Sequence, residues 1–376
     1  MRKNLFVRSI AAVSGIVMLA SLAACGDNTS SAGNNSGSTS TEKITGNFSG
    51  AGATSQQAAE EAWISAYMAA NSGANVTYNP TGSGAGVTTF LSGAAAWAGS
   101  DKALSDDEVT QSSDKACANG TTAFDVPVYI SPIAIIFNLK GVSDAGKHIN
   151  LDADTAAKIF DGKIVKWNDP AIANQNKDLT LPDTQITVVH RSDKSGTTQN
   201  FVSYFKDQAP DSWTHELSEN WPDIPGQQSA KGTSGVVTAV KQADGTIGYA
   251  DFSQVGDLGT AAIKVGENYN EISADAGSKV IEDSEIDTSV KGDNRVVVKI
   301  NHATEAKGAY PIVLVSYDIA CPAYKDASTA KFVKSWLTYV TSDEGQKTAS
   351  SAAGSAPLPS NIVKKVTKSI EAIKTK

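Results

Sequence analysis

Three short stretches share one local grammar, and they constrain the fold of this chain more than any other feature. Glycine and hydroxyl residues stand directly before a helical pattern at Gly50-Ala51-Gly52-Ala53-Thr54-Ser55, at Thr81-Gly82-Ser83-Gly84-Ala85-Gly86 and at Arg191-Ser192-Asp193-Lys194-Ser195-Gly196-Thr197-Thr198. A helix start leaves backbone N–H groups unpaired and carries a partial positive charge. A Ser or Thr there adds a hydroxyl donor, and Gly lets an anion reach the backbone. One such start is ordinarily an N-cap, the commoner meaning of Ser or Thr at that place. Three in one chain suit a convergent oxyanion site. The third also supplies Arg191, whose guanidinium offers a bidentate fork to a phosphate or carboxylate.

Around these junctions, strand-like and helix-like segments alternate from residue 44 onward, the pattern of an α/β protein. Ala59, Ala62/Trp63, Ala66/Tyr67 and Ala70 recur at helical spacing, Val87 to Leu91 begin a second helix, and Phe332, Val333, Trp336, Leu337, Tyr339 and Val340 mark another near the end. Short apolar runs at Ile133–Phe137, Ile186–Val189, Val296–Ile300 and Ile312–Val315 read as buried strands. At 376 residues the chain is long enough for two or so domains. It shows no repeats and no heptads.

The first 24 residues read as a targeting segment and not as part of the fold. Arg2, Lys3 and Arg8 precede a short apolar run from Ile10 to Leu22, which ends in Leu22-Ala23-Ala24-Cys25. That ending resembles a bacterial lipobox, so the expected cut falls before Cys25, whose thiol would receive a diacylglyceryl group. The alternatives are an ordinary signal peptide with a chance cysteine, and a transmembrane span, for which the run is shorter than about 18 residues. From Gly26 to about Thr41 nearly every residue is Ser, Gly, Asn or Thr, a flexible tether spanning roughly 20–25 Å root-mean-square. After lipidation of Cys25, Cys117 and Cys321 remain. Outside the cytoplasm they are either disulfide partners or two separately buried thiols, and that setting favours the bridge.

Charge excludes one class of ligand. The formal net charge is -8, and loss of Arg2, Lys3 and Arg8 with the leader takes it to -11. Long polyanions such as nucleic acid need a basic face, which this composition does not supply. A single desolvated oxyanion held by local amides, hydroxyls and one Arg remains compatible.

Seven motifs then resemble, in order, the phosphate-binding proteins of phosphate-specific ABC transporters, over most of residues 44–362. They are GAGAT (50–54), YNPTGSGAGV (78–87), AGSD (98–101), KIFDGKIVKWNDPAI (158–172), RSDKSGTT (191–198), GTIGYADF (245–252) and APLPS (356–360). The resemblance implies a two-domain, type II periplasmic-binding-protein-like clamp with hinge-crossing strands, closing over one phosphate. Domain one is expected at 44–127 plus 311–376 and domain two at 128–310, with crossings at Phe124–Ile130 and Ala309–Ile312. Carried over residue by residue, Thr54 and Ser55 match the first helix-start donors. The family often has Phe in place of Ser55, but uses the backbone N–H there. Ser83 matches the second donor, and Asp101 the family's buried carboxylate acceptor. Arg191, Ser195, Gly196 and Thr197 match the cluster on the other domain, and Asp193 the residue that orients the arginine.

Chemistry supports giving Asp101 that role. Monohydrogen phosphate still carries a proton near neutral pH and sulfate carries none. Asp101 can accept that proton's hydrogen bond but would face sulfate as an unpaired like charge. A buried unpaired charge costs several kcal/mol, a discrimination of many thousand-fold at about 1.4 kcal/mol per decade. Without the family match, Asp101 reads as an N-cap or a surface acid beside Lys102.

The leading expectation is capture and delivery of inorganic phosphate without chemistry or cofactor, as a monomeric subunit lipid-anchored through Cys25 on the outer face of the cytoplasmic membrane. The resemblance implies ABC permease subunits and their ATPase as partners. A sulfate or molybdate binder is the alternative that Asp101 disfavours. A secreted phosphatase using Ser83 or Ser195 would need a nearby base or metal. A lipid-anchored adhesin would leave the three helix starts unexplained. Gly141–His148 nearly spells a phosphate loop, but His148 replaces the hydroxyl that should hold magnesium, so it reads as a surface loop. His148, His190, His215 and His302 lie at no metal-ligand spacing.

Overall fold

The computed structural model describes residues 43–376 and gathers them into one compact unit. The expected leader, Cys25 and the tether as far as Glu42 lie outside the described residues.

The chain opens with an alternating run: β1 (Gly46–Gly52), α1 (Gln57–Ala70), β2 (Ala74–Asn79), α2 (Ser83–Leu91), β3 (Trp97–Ser100) and α3 (Asp106–Lys115). The middle carries β4 (Phe124–Asn138), β5 (Ile149–Leu151), α4 (Ala153–Phe160), α5 (Pro170–Ala173), β6 (Thr187–Arg191), α6 (Gly196–Gln208), β7 (Gln228–Ala230) and α7 (Gly232–Gln242). Then come β8 (Thr246–Asp251), β9 (Gly259–Val265), β10 (Asn268–Asn270), α8 (Ala274–Glu282), β11 (Glu285–Ile286) and β12 (Val298–Lys299). It closes with β13 (Val313–Ala320), α9 (Ala327–Val340), α10 (Asp343–Ala353) and α11 (Ser360–Glu371).

One sheet runs in the order β2-β1-β3-β13-β4-β8-β6-β7, with β9 added beside β4 and carrying β5 and β10. The β1–β2, β1–β3, β6–β7 and β6–β8 pairs are parallel, as expected where helices return the chain between strands. β4 is the element that joins the two ends of this order. It pairs with β13 over Phe124–Pro132 and with β8 over Ile133–Asn138, and every residue but Asn138 is buried. The separate crossing and strand expected at 124–130 and 133–137 are therefore one continuous strand. Pro132 has no N–H to give, and it stands where β4 passes from one partner to the other, so neither ladder is broken by it.

Two further expectations differ from the structure. Ala309–Ile312 makes no strand; its polar groups find other partners, the Tyr310 hydroxyl donating to the Ile133 carbonyl at 3.0 Å. Of Val296–Ile300 only Val298 and Lys299 pair as a strand, against β11, while the Val296 N–H donates to Asp125 O. Apolar burial at Val296 and Val297 gives a strand-like pattern without a ladder.

Two aromatic groups anchor the ends of the sheet. Phe332 stacks on Phe48 with centroids 4.0 Å apart, and Trp97 lies 5.3 Å from Trp336. On the other side Phe201 stacks on Tyr249 at 4.5 Å and meets Phe160 edge-on at 4.8 Å. Cys117, beyond α3, is bridged to Cys321, beyond β13, with a Cα separation of 5.3 Å.

Candidate anion-binding site

All three Gly/hydroxyl junctions lie at helix starts on the C-terminal side of strands β1, β2 and β6, the edge where ligands of open α/β sheets bind. Gln56 occupies the cap of α1, Gly82 the cap of α2 and Ser195 the cap of α6. Ser195 is a true N-cap, its hydroxyl accepting from Thr198 N–H at 3.1 Å. The other hydroxyls do something else. Ser83 Oγ accepts from the backbone N–H of Asp101 at 3.2 Å, and Thr54 Oγ1 lies 2.9 Å from Thr233 Oγ1. Thr54, Ser55, Ser83, Asp101, Arg191, Ser195 and Thr197 are all buried.

Asp101, just past β3, is the point where these elements meet. Its Oδ1 accepts from Ser55 Oγ and from Ser316 Oγ, both at 2.6 Å, and its Oδ2 from Thr197 Oγ1 at 2.6 Å. Three hydroxyl protons on two oxygens are what an ionised, acceptor-only carboxylate takes. Asn200 Nδ2 donates to the Asp101 carbonyl at 2.6 Å and so ties α6 to the same residue. A Cβ on Gly196 would stand 2.8 Å from Asp101 Cβ, so only glycine lets the start of α6 come this close.

Arg191, at the end of β6, forms a two-pronged pair with Asp193: Nε to Oδ1 at 2.8 Å and Nη2 to Oδ2 at 2.7 Å. Nη1 takes no part in it. The Gly232 N–H, at the start of α7, also donates to Asp193 Oδ1, at 3.1 Å. Burial opposes charge on Asp193, but the Arg191 hydrogen bonds and charge, with the Gly232 N–H, outweigh it and hold the carboxyl below its ordinary value. Gly82 lies over this pair. Its φ is +99°, and a Cβ there would meet Asp193 Oδ2 at 2.5 Å. The Arg191 N–H donates to Tyr249 Oη at 3.2 Å, and burial pushes the Tyr249 phenol up to about 12.

Below Asp101, α1 and β13 face each other in two layers. In the upper layer Gln56 Nε2 donates to Ser316 Oγ at 2.8 Å and to the Tyr317 carbonyl at 3.3 Å. One helical turn and two strand residues further on stand Glu60 and Asp318, both fully buried. Both Asp318 carboxyl oxygens and Glu60 Oε2 lack a hydrogen-bond partner; Glu60 Oε1 accepts only from Trp97 Nε1, at 3.3 Å. Burial raises the Asp318 carboxyl to about 8. Burial, and then the charge of Asp318, raise Glu60 well above the usual carboxylate range against the Trp97 hydrogen bond.

Several site groups escaped the sequence reading. Lys231-Gly232-Thr233-Ser234-Gly235 opens α7 with the same Gly/hydroxyl grammar and could have been found by it. Thr233 N–H donates to Thr54 Oγ1 at 3.1 Å, and Gly232 serves Asp193. Gln56 follows the first junction directly and was unremarked. Ser316 sits in an all-buried strand with no local sign that it reaches a carboxylate 215 residues earlier.

Other sequence candidates go elsewhere. Gly141–His148 is a turn with a short 3-10 segment at Ser143–Ala145, away from a helix start. His190 stacks on Trp221 at 5.4 Å, and His215 and His302 each pair with one aspartate, Asp161 and Asp207. Ser83 and Ser195, the serines a phosphatase would employ, bond to backbone N–H groups. Among the described residues no three His, Cys, Asp or Glu side chains gather as metal ligands.

Comparison with known proteins fits this arrangement of elements. Residues 37–344 match the family model described as a PBP superfamily domain. The phosphate-binding protein PstS2 of Mycobacterium bovis is 36% identical over 381 residues, covering 98% of this chain and 99% of that one. The solved structure of a high affinity periplasmic phosphate-binding protein, PfluDING, bound with phosphate, shares the fold at a TM-score of 0.69 and 22% identity, over 86% of this chain and 93% of that one. A Clostridium perfringens chain, put forward as a phosphate ABC transporter substrate-binding protein and carrying bound phosphate, aligns at a TM-score of 0.58 and 19% identity, over 84% of this chain and 100% of that one. The fold is the type II periplasmic-binding-protein fold, and the chain belongs to the PBP superfamily, in the PstS family of phosphate-binding proteins.

Proposed function

We propose that this protein captures inorganic phosphate and delivers it to an ABC transporter for import. It is a binding protein and not an enzyme. The phosphate is held by Thr54, Ser55, Ser83, Asp101, Arg191, Ser195, Gly196 and Thr197, with Asp193 orienting the arginine. The single observation that carries this reading is the setting of Asp101: one buried carboxylate among hydroxyl donors, between two facing helix starts. Amides, hydroxyls and Arg191 compensate the oxyanion's charge. The carboxylate asks in addition for an oxyanion that brings its own proton, which phosphate does and sulfate does not.

The passage of β4 from β13 to β8 supports reading the body as a clamp. Residues 44–127 plus 311–376 form domain one, and residues 128–310 form domain two. The chain passes between them at β4 and ahead of β13. Phosphate first meets one domain and is then enclosed by the other in a hinge motion. Cys25 carries the lipid that holds the protein on the outer face of the cytoplasmic membrane, with the Ser/Gly/Asn tether as leash. The loaded form docks on permease subunits driven by a cytoplasmic ATPase.

Calorimetry with phosphate, arsenate and sulfate tests the reading. Phosphate binds, arsenate, protonated like phosphate, competes for the same site, and sulfate gives no heat at neutral pH. Sulfate binding as tight as phosphate would overturn it.

A further inference from the structure

We infer that Ser316, its hydroxyl set by Gln56, is a specificity-determining positioning residue: it keeps Oδ1 of Asp101 occupied and leaves Oδ2 as the acceptor for a proton on the bound oxyanion. The inference rests on the phosphate reading of the site and deepens it.

The Tyr317 carbonyl, which can only accept, orients the chain: Gln56 turns its Nε2 toward β13, where it reaches Tyr317 O at 3.3 Å and Ser316 Oγ at 2.8 Å, and leaves its Oε1 buried without a partner. Ser316 Oγ therefore accepts from Gln56. Its one proton is left for Asp101 Oδ1, 2.6 Å away. A backbone carbonyl thus sets an amide, the amide sets a hydroxyl, and the hydroxyl sets the carboxylate. All members of the chain are buried.

The two oxygens of Asp101 are then unequal. Oδ1 receives Ser316 from β13 and Ser55 from the α1 junction. Oδ2 receives only Thr197, from the start of α6. Thr197 is itself one of the proposed phosphate contacts, and turning its hydroxyl proton to a ligand oxygen frees Oδ2. Ser316 lies under the site on a central strand and has no such second task. With Ser316 fixed on Oδ1, Asp101 stays a charged acceptor when the ligand enters, and a proton-free oxyanion meets it as a second acceptor.

Removing the Ser316 hydroxyl leaves Oδ1 with Ser55 alone, so Thr197 stays committed to the carboxylate and Oδ2 is no longer free for a proton on the ligand. The preference for an oxyanion that carries a proton then narrows.

The experiment is a set of phosphate and sulfate titrations at neutral pH on the wild-type protein, Ser316→Ala, Ser316→Thr and Gln56→Leu. In Ser316→Ala the phosphate-over-sulfate preference falls about tenfold. Ser316→Thr, which keeps the hydroxyl, retains the wild-type preference, and Gln56→Leu lowers it by less. Superimposable sulfate profiles in wild type and Ser316→Ala, with phosphate binding intact in both, overturn the inference and leave the phosphate reading standing. Absence of phosphate binding by the wild type overturns that reading instead.

Discussion

Asp101 and Asp318 are both buried carboxylates, and both lie beside Ser316, yet the protein treats them in opposite ways. Asp101 receives three hydroxyl protons, from Ser55, Ser316 and Thr197. Asp318 has no hydrogen-bond partner on either oxygen, and burial lifts its carboxyl to about 8. A buried charge survives only when paired or well hydrogen-bonded; otherwise the group keeps its proton. On the proposed reading of the site, donors hold Asp101 as an acceptor toward the anion, while burial without donors raises the Asp318 carboxyl beneath it. Asp125 shows a third solution in the same fold, a buried two-pronged pair with Arg295 at 2.8 and 2.7 Å, with the Leu104 N–H donating to Oδ2 at 2.7 Å.

The comparison can be broken at each of these carboxylates. The largest effect is expected where the compensation is a full charge. Asp125→Ala leaves the Arg295 guanidinium buried and unpaired and costs about 3–5 kcal/mol of stability, read by denaturant unfolding. A loss within about 0.5 kcal/mol would show that the pair contributes nothing net. At the anion site, Arg191→Ala weakens phosphate binding by roughly 2–4 kcal/mol, measured by calorimetry, because it removes a charge-assisted partner and frees Asp193 to repel the ligand. An unchanged dissociation constant would take Arg191 out of the site.

Asp318 makes a smaller and pH-dependent difference. Its carboxyl in the unfolded chain titrates near 3.9 and in the folded protein near 8, so the native state holds an extra proton between these values. The stability this proton contributes is fully present below about pH 4 and is lost as pH rises through about 8. Thermal melts from pH 5 to pH 9 therefore fall for the wild type. Asp318→Asn, neutral throughout, flattens that fall by a few degrees at the alkaline end, about 2–4 °C per kcal/mol for a chain of 150–250 residues and less for a longer one. Parallel melting curves for the two proteins would mean that Asp318 is ionised in the fold.

What the sequence made legible follows from how local each signal is. The three Gly/hydroxyl junctions were readable as helix starts because such a start is built from consecutive residues, and Arg191 and Asp193 lie two apart within one of them. Asp101 was readable only through the AGSD motif of the family, since its physical context comes from α1, α6 and β13. Ser316 could not be read at all. Its strand, Val313–Ala320, is marked by burial, and burial says nothing about which serine points at which carboxylate. Thr233 was missed although KGTSG carries the same grammar as the other junctions. The continuity of β4 was not legible: the expected crossing at Phe124–Ile130 and strand at Ile133–Phe137 join through Ser131 and Pro132, where the strand changes partner.

The central claim is that Asp101, kept charged by hydroxyl donors, selects an oxyanion that carries a proton. The direct test is calorimetry of phosphate and sulfate on Asp101→Asn beside the wild type at neutral pH. The amide keeps the shape and can donate to a proton-free oxygen, so the phosphate-over-sulfate preference collapses by roughly a hundredfold or more. A preference unchanged from the wild type would contradict the account.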